Sequence, residues 1–188
     1  GQVYAKIGKY RLARENYKVA ISYSKIINDE DEIANLNRRL GICFSKESEY
    51  SKAIEYYDLA YQYATEHKDT SLLASLSNNL GVVYKNKGDY QKAIEYYFRS
   101  VEWRRAMGEE DKVAAYLNNI GVIYKKIGEF EKALGFYQQA YDIHKKQGKK
   151  NGMTGALMNI GIIYKNLDQP KKALQNYLAA LELTKETG

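Results

Sequence analysis

Asn79, Asn119 and Asn159 stand forty residues apart, and Asn78 and Asn118 precede the first two. A carboxamide carries a donor and an acceptor together, the complement of the C=O and N–H that an extended peptide backbone offers. Lys85, Lys125 and Lys165 recur at the same interval, with Lys126 beside the second, and Arg38 and Arg39 fill the places of the paired asparagines one period earlier. Amides flanked by cations suit the holding of a partner backbone, with a charge preference for acidic segments that the formal net charge of +6 reinforces. That chemistry is recognition, with no bond made or broken.

Constellations for catalysis are missing. His67 and His144 lie far apart in sequence with no partner at i+3 or i+4, so no metal site is expected. The glycines are spread through the chain, and no phosphate loop or nucleophile elbow forms. Cys43 aligns with Val83, Ile123 and Ile163 of later periods and reads as a small core hydrophobe. The chain is read as a non-enzyme with no cofactor. No apolar run approaches the roughly 20 residues of a membrane span, and a cytoplasmic location is expected.

The elements that must position these side chains repeat with them. Gly41, Gly81, Gly121 and Gly161 sit in near-identical phrases, Leu40-Gly41-Ile42 through Ile160-Gly161-Ile162. A fixed period of this length marks a solenoid, stabilised by burial between neighbouring units. One proline and abundant Ala, Leu, Lys, Glu and Tyr argue for helix nearly throughout. The expected fold is all-α, a right-handed α-solenoid of antiparallel helix pairs in about five units: 1–33 (partial), 34–73, 74–113, 114–153 and 154–188. First helices are expected near 30–46, 70–87, 110–126 and 150–166, on the inner side. Second helices are expected at 10–26, 50–66, 90–106, 130–146 and 170–186, outside. The chain starts and stops inside a unit, which reads as a single array cut from a larger protein.

A glycine inside a helix costs about 1 kcal/mol relative to Ala, so its recurrence calls for close helix contact. Small residues at Ala53, Ala93, Ala133 and Ala173 and at Ala60, Ser100, Ala140 and Ala180 face large rings, Phe44, Tyr84, Tyr124 and Tyr164 on first helices and Tyr57, Tyr97, Tyr137 and Tyr177 on second ones. Small against large fills a tight helical hairpin and accounts for most of the tyrosines.

Leu-Gly-x-x-Tyr, a break, then Ala-x-x-x-Tyr-x-x-Ala resembles the tetratricopeptide repeat family across essentially the whole chain. The period of forty, where 34 is the common length of that family, is similar to the sub-type of kinesin light chains, spindle-orientation adaptors and bacterial peptide receptors and sensor-associated arrays. The resemblance implies protein or peptide binding. The adjacent pairs Asn78-Asn79 and Asn118-Asn119 are similar to the Leu-Asn-Asn-Leu run of kinesin light chains, which implies a backbone-holding role for these asparagines; the alternative is that they cap helices or bridge neighbouring ones.

Angular arithmetic reaches the same face independently. At 100° per residue, the side of the first helix away from its partner carries Asn79, Asn119 and Asn159 together with Val82, Val122 and Ile162. Neighbouring first helices at about 10 Å would meet an extended chain, rising about 3.3 Å per residue, at every third residue. The reading is a scaffold that holds an extended segment, with acidic ones favoured, in a concave groove, as the docking or sensing part of a larger signalling protein. The alternative is a structural array that oligomerises or relays a signal, with the leucines at 174, 178, 181 and 183 pairing two copies. Nucleic acid is disfavoured, because the face is amide and aliphatic with no base-specifying set in each unit.

Overall fold

A computed structural model of the chain describes residues 1–185; the expected helical residue 186 and the closing Lys185-Glu186-Thr187-Gly188 phrase fall at or outside that limit. The described residues form ten helices and no strand. These are α1 (Gln2–Lys6), α2 (Tyr10–Ile26), α3 (Glu30–Lys46), α4 (Tyr50–Glu66), α5 (Thr70–Lys87), α6 (Tyr90–Ala106), α7 (Glu110–Lys126), α8 (Phe130–Lys146), α9 (Lys150–Asn166) and α10 (Pro170–Lys185). The boundaries coincide with those the repeat predicts.

Each helix from α1 to α9 ends in the same corner. Residues with positive φ fall every twenty positions: Gly8, Asn28, Ser48, Lys68, Gly88, Gly108, Gly128, Gly148 and Asp168. The next residue returns its N–H to a carbonyl five positions back, as in Asp29 to Ser24, Glu109 to Arg104 and Lys149 to His144, each at 2.9 Å. This Schellman arrangement satisfies carbonyls that the helix end would otherwise orphan. Glycine suits the left-handed corner, yet Lys68 adopts it at φ 54, so the hydrogen bonds and the packing beyond them specify the turn. Asp29 and Asp69 then cap α3 and α5, accepting from Glu32 N–H at 3.0 Å and Leu72 N–H at 2.9 Å.

The chain divides into two compact units, Gly1–Tyr96 and Tyr97–Gly188. In the first, consecutive helices pack in order from α1 to α5. Its core gathers Ala13, Tyr17, Leu36, Leu40 and Cys43, the thiol being buried and free. The ring of Tyr57 lies against Gly41 so closely that a Cβ there would enter it. In the second unit α7, α8, α9 and α10 pack in order, and Tyr137 and Tyr177 cover Gly121 and Gly161 in the same way. Tyr137 is fully buried with Ala133, Ile160 and Ile163, and Val122 packs on that cluster. The mid-helix glycines are therefore seats for tyrosine rings.

Ring contacts beside these seats escape the sequence pattern. Phe44 stacks on Tyr56 at 5.3 Å, Tyr84 on Tyr96 at 5.4 Å and Tyr124 on Phe136 at 5.4 Å between centroids. Lys52, Lys92 and Lys132 lie 5.3 to 5.6 Å from the Phe44, Tyr84 and Tyr124 centroids. Each ammonium also pairs with a carboxylate at i−3, Glu49, Asp89 or Glu129. These lysines thus complete a carboxylate, cation and double-ring stack.

Candidate functional site

On the second unit, α7 and α9 bring two of the candidate asparagines together. Asn159 Nδ2 donates to Asn118 Oδ1 at 2.8 Å, half-buried. One amide proton of Asn159 and one lone pair of Asn118 are committed. The Asn118 amide hydrogens and the Asn159 carbonyl oxygen take no part in that bond. Asn119, Val122 and Ile162 are half-buried; Lys126 and Lys165 are exposed, and Lys125 is half-buried.

The Asn118–Asn159 pair borders a cleft of about 210 Å³ walled by α7, α8 and α9, into which Asn151, Gly152, Gly155 and His144 also open. None of the candidate lysines lines it, and Asn119, Val122 and Ile162 lie outside it. His144 sits where the previous period has Arg104, and Gly152 where it has Lys112. The imidazole lies against the bare Cα of Gly152, where a Cβ would stand 2.5 Å from Nδ1. That Nδ1 is buried with no hydrogen-bond partner. Burial pushes the His144 pKa below its ordinary value, and the charge of Lys149 adds to the fall. His144, Asn151 and Gly152 are site residues that column reading passes over. Their signal is a departure from the repeat at matched positions on two helices.

On the first unit, Asn78, Asn79, Val82 and Lys85 of α5 and Arg38 and Arg39 of α3 are all half-buried. Desolvation lowers the pKa of Arg38, the neighbouring Arg39 charge lowers it further, and Tyr57 and Tyr17 offset part of this. With its amide oxygen turned inward, Gln2 accepts from Arg39 at 3.1 and 3.3 Å. A separate hollow of about 250 Å³ between α3 and α4 is lined by Glu30, Asn37, Tyr63 and Glu66, none of them a candidate from sequence. Tyr63 there donates its phenol hydrogen to Asp31, and that bond raises the Tyr63 pKa to about 12.

Among the described residues, no group of three or more His, Cys, Asp or Glu side chains could hold a metal ion, and no helix is long and apolar enough to cross a membrane. Leu174, Leu178 and Leu181 on α10 are each at least half exposed.

Family models described as tetratricopeptide repeat match residues 72–146 and 154–187. No curated protein matches the chain. Among solved structures the chain is similar to BtubC (BKLC) from P. vanneervenii, 22% identical with a TM-score of 0.88 over 99% of this chain and 77% of that one. It is similar to a putative kinesin light chain repeat protein of Podosopora anserina, 14% identical with a TM-score of 0.81 over 99% and 92%. It is also similar to a Rap protein complexed with competence and sporulation factor, 18% identical with a TM-score of 0.71 over 95% of this chain and 52% of that one. At these identities the likeness shows the fold, an α-solenoid of antiparallel helix pairs.

Proposed function

The chain belongs to the tetratricopeptide repeat family, a fold of protein-interaction scaffolds, and on that footing we propose that it holds an extended peptide segment through side-chain amides. The observation that carries this is the Asn159–Asn118 hydrogen bond, which fixes two amides of α7 and α9 and leaves the Asn118 amide hydrogens and the Asn159 carbonyl oxygen outside that bond. Fixing them beforehand removes part of the side-chain entropy that these amides would otherwise lose when a peptide binds. On the second unit Asn118, Asn119 and Asn159 hold the backbone, Val122 and Ile162 meet side chains, and Lys125, Lys126 and Lys165 favour acidic ones. On the first unit Asn78, Asn79, Val82 and Lys85, with Arg38 and Arg39, form an equivalent face.

Charge supports the preference. Residues 97–188 hold fifteen Lys and Arg against ten Asp and Glu, so the second unit carries +5 of the +6. The Rap relative crystallised with competence and sporulation factor makes a docking or sensing role in a larger cytoplasmic signalling protein a coherent setting for this reading.

The test is fluorescence-polarisation binding to an array of extended nonapeptides at low and high salt. Asn119→Ala and Asn79→Ala are each expected to weaken binding by about 1 kcal/mol whatever the peptide sequence. Acidic peptides are expected to lose affinity with salt as the Debye length shrinks. Unchanged binding by the combined Asn79, Asn119 and Asn159 to Ala variant would assign the amides to the scaffold. A structural or relay array is the second reading, favoured by the exposed leucines of α10. Sedimentation showing a dimer that Leu178→Glu dissolves, with no peptide bound by wild type, would select it.

A further inference from the structure

The cleft on α7, α8 and α9 departs from the repeat at two glycines, of which helix packing requires only one. Gly152 and Gly155 stand in the first half of α9, where the two preceding periods carry Lys112 and Ala115, then Leu72 and Ser75. Glycine is the poorest helix former after proline. Gly152 has its reason in the His144 ring seated on it. Gly155 has none within the protein: nothing lies within 4 Å of where its Cβ would be, and the space it leaves open belongs to the cleft.

The second observation is the imidazole. His67, near the end of α4, has its Nδ1 3.0 Å from the Tyr63 carbonyl of its own helix. His144 Nδ1 is buried without such a partner. The third is polarity. The cleft is lined by three carboxamides, one imidazole, and otherwise alanine and glycine, with no carboxylate. Around His144, Lys145 and Lys146 follow on α8, Lys149 and Lys150 open α9, and the α7 carboxylate Asp111 is drawn to Lys149 at 3.8 Å.

We infer that this cleft receives a carboxylate, the side chain of a Glu or Asp in the segment held on the second unit, and so sets where along that segment the acid must stand. Gly155 lets the acid's stem lie against the helix. The carboxylate oxygens accept from the amide N–H groups of the cleft and from His144, which takes a proton from solvent as the acid enters. A neutral ring kept neutral by burial and by neighbouring cations becomes a charged donor once an anion faces it. The inference rests on the peptide-holding reading, and it adds position and charge to it.

The test uses N-acetylated, C-terminally amidated nonapeptides on a Ser/Gly/Ala background, each carrying one Glu or, in its twin, Gln. Wild type is expected to bind the best Glu peptide about tenfold tighter than its Gln twin, and His144, followed by NMR, to rise in pKa on saturation, the reciprocal of tighter Glu-peptide binding by the protonated ring. Gly155→Leu, which fills the cleft from an exposed helix position, is expected to lose the tenfold ratio while melting no lower than wild type. If Gly155→Leu keeps the ratio, or the His144 pKa stays put while a Glu peptide binds, the cleft is not the acid's site and the amide-held peptide reading stands without it. If wild type binds no member of the array, both readings fall.

Discussion

Replacing Gly121 with Ala sets two opposed terms against each other in one helix. The gain is propensity, about 1 kcal/mol for Gly to Ala in a helix interior. The loss is steric: the new Cβ would stand 2.7 Å from Cε1 and 2.9 Å from Cδ1 of Tyr137, whose ring is fully buried and cannot swing clear. Overpacking of that kind costs about 1–3 kcal/mol, so the variant should be between neutral and about 2 kcal/mol less stable. Gly155→Ala and Gly135→Ala bring the same propensity gain, with nothing within 4 Å of the added methyl. Both should be more stable than wild type by up to about 1 kcal/mol. Urea unfolding followed by circular dichroism measures all three, with m-values compared because repeat arrays need not unfold in one step. Gly121→Ala combined with Tyr137→Leu should lose less than the two single changes together. If Gly121→Ala stabilises as much as Gly155→Ala, the ring does not hold the position given to it, and the reading of the repeat glycines as ring seats fails.

Asn159→Ala should lower stability by about 0.5–1.5 kcal/mol, since it leaves Asn118 half-buried without its bond, whereas Asn119→Ala should leave the urea midpoint unmoved. Burial raises the Tyr137 phenol to about 12 and those of Tyr57 and Tyr97 higher still. These folded values exceed the unfolded value of about 10, so the stability they contribute is whole below pH 10 and is lost as pH rises through 12. Tyrosinate absorbance from these three and loss of helical signal should therefore appear together above pH 10; ionisation of the buried rings with the helix intact would contradict their packing. Lys125→Glu should weaken binding of acidic peptides at low salt and change it little at high salt, measured by polarisation.

Helix boundaries were legible because Gly, Asp and aromatic residues punctuate them, and the seats of the tyrosines because small and large residues alternate in register. The shared left-handed conformation of the corners was legible only at their glycines, because Asn, Ser, Lys and Asp occupy the others and the turn is written in backbone hydrogen bonds. The asparagine column was legible as a column. Its bond was hidden because Asn159 reaches Asn118, 41 residues away, and not its own equivalent Asn119. His144 and Gly152 were passed over because a reading by columns averages away the one unit that differs. Each residue is ordinary alone, and their meaning lies in a contact between α8 and α9.

The nine left-handed corners also constrain how such a chain can change length. Because every corner closes with the same bond, excising or adding forty residues between any two of them restores an identical junction and returns each helix to its own role. A change of twenty would close equally well at the backbone, yet it would exchange the glycine-bearing helices for the tyrosine-bearing ones and leave rings without seats. The chain can therefore be spliced in pairs of helices at any joint, and a new cleft can be introduced in one unit by altering two facing positions while its neighbours keep their sequence.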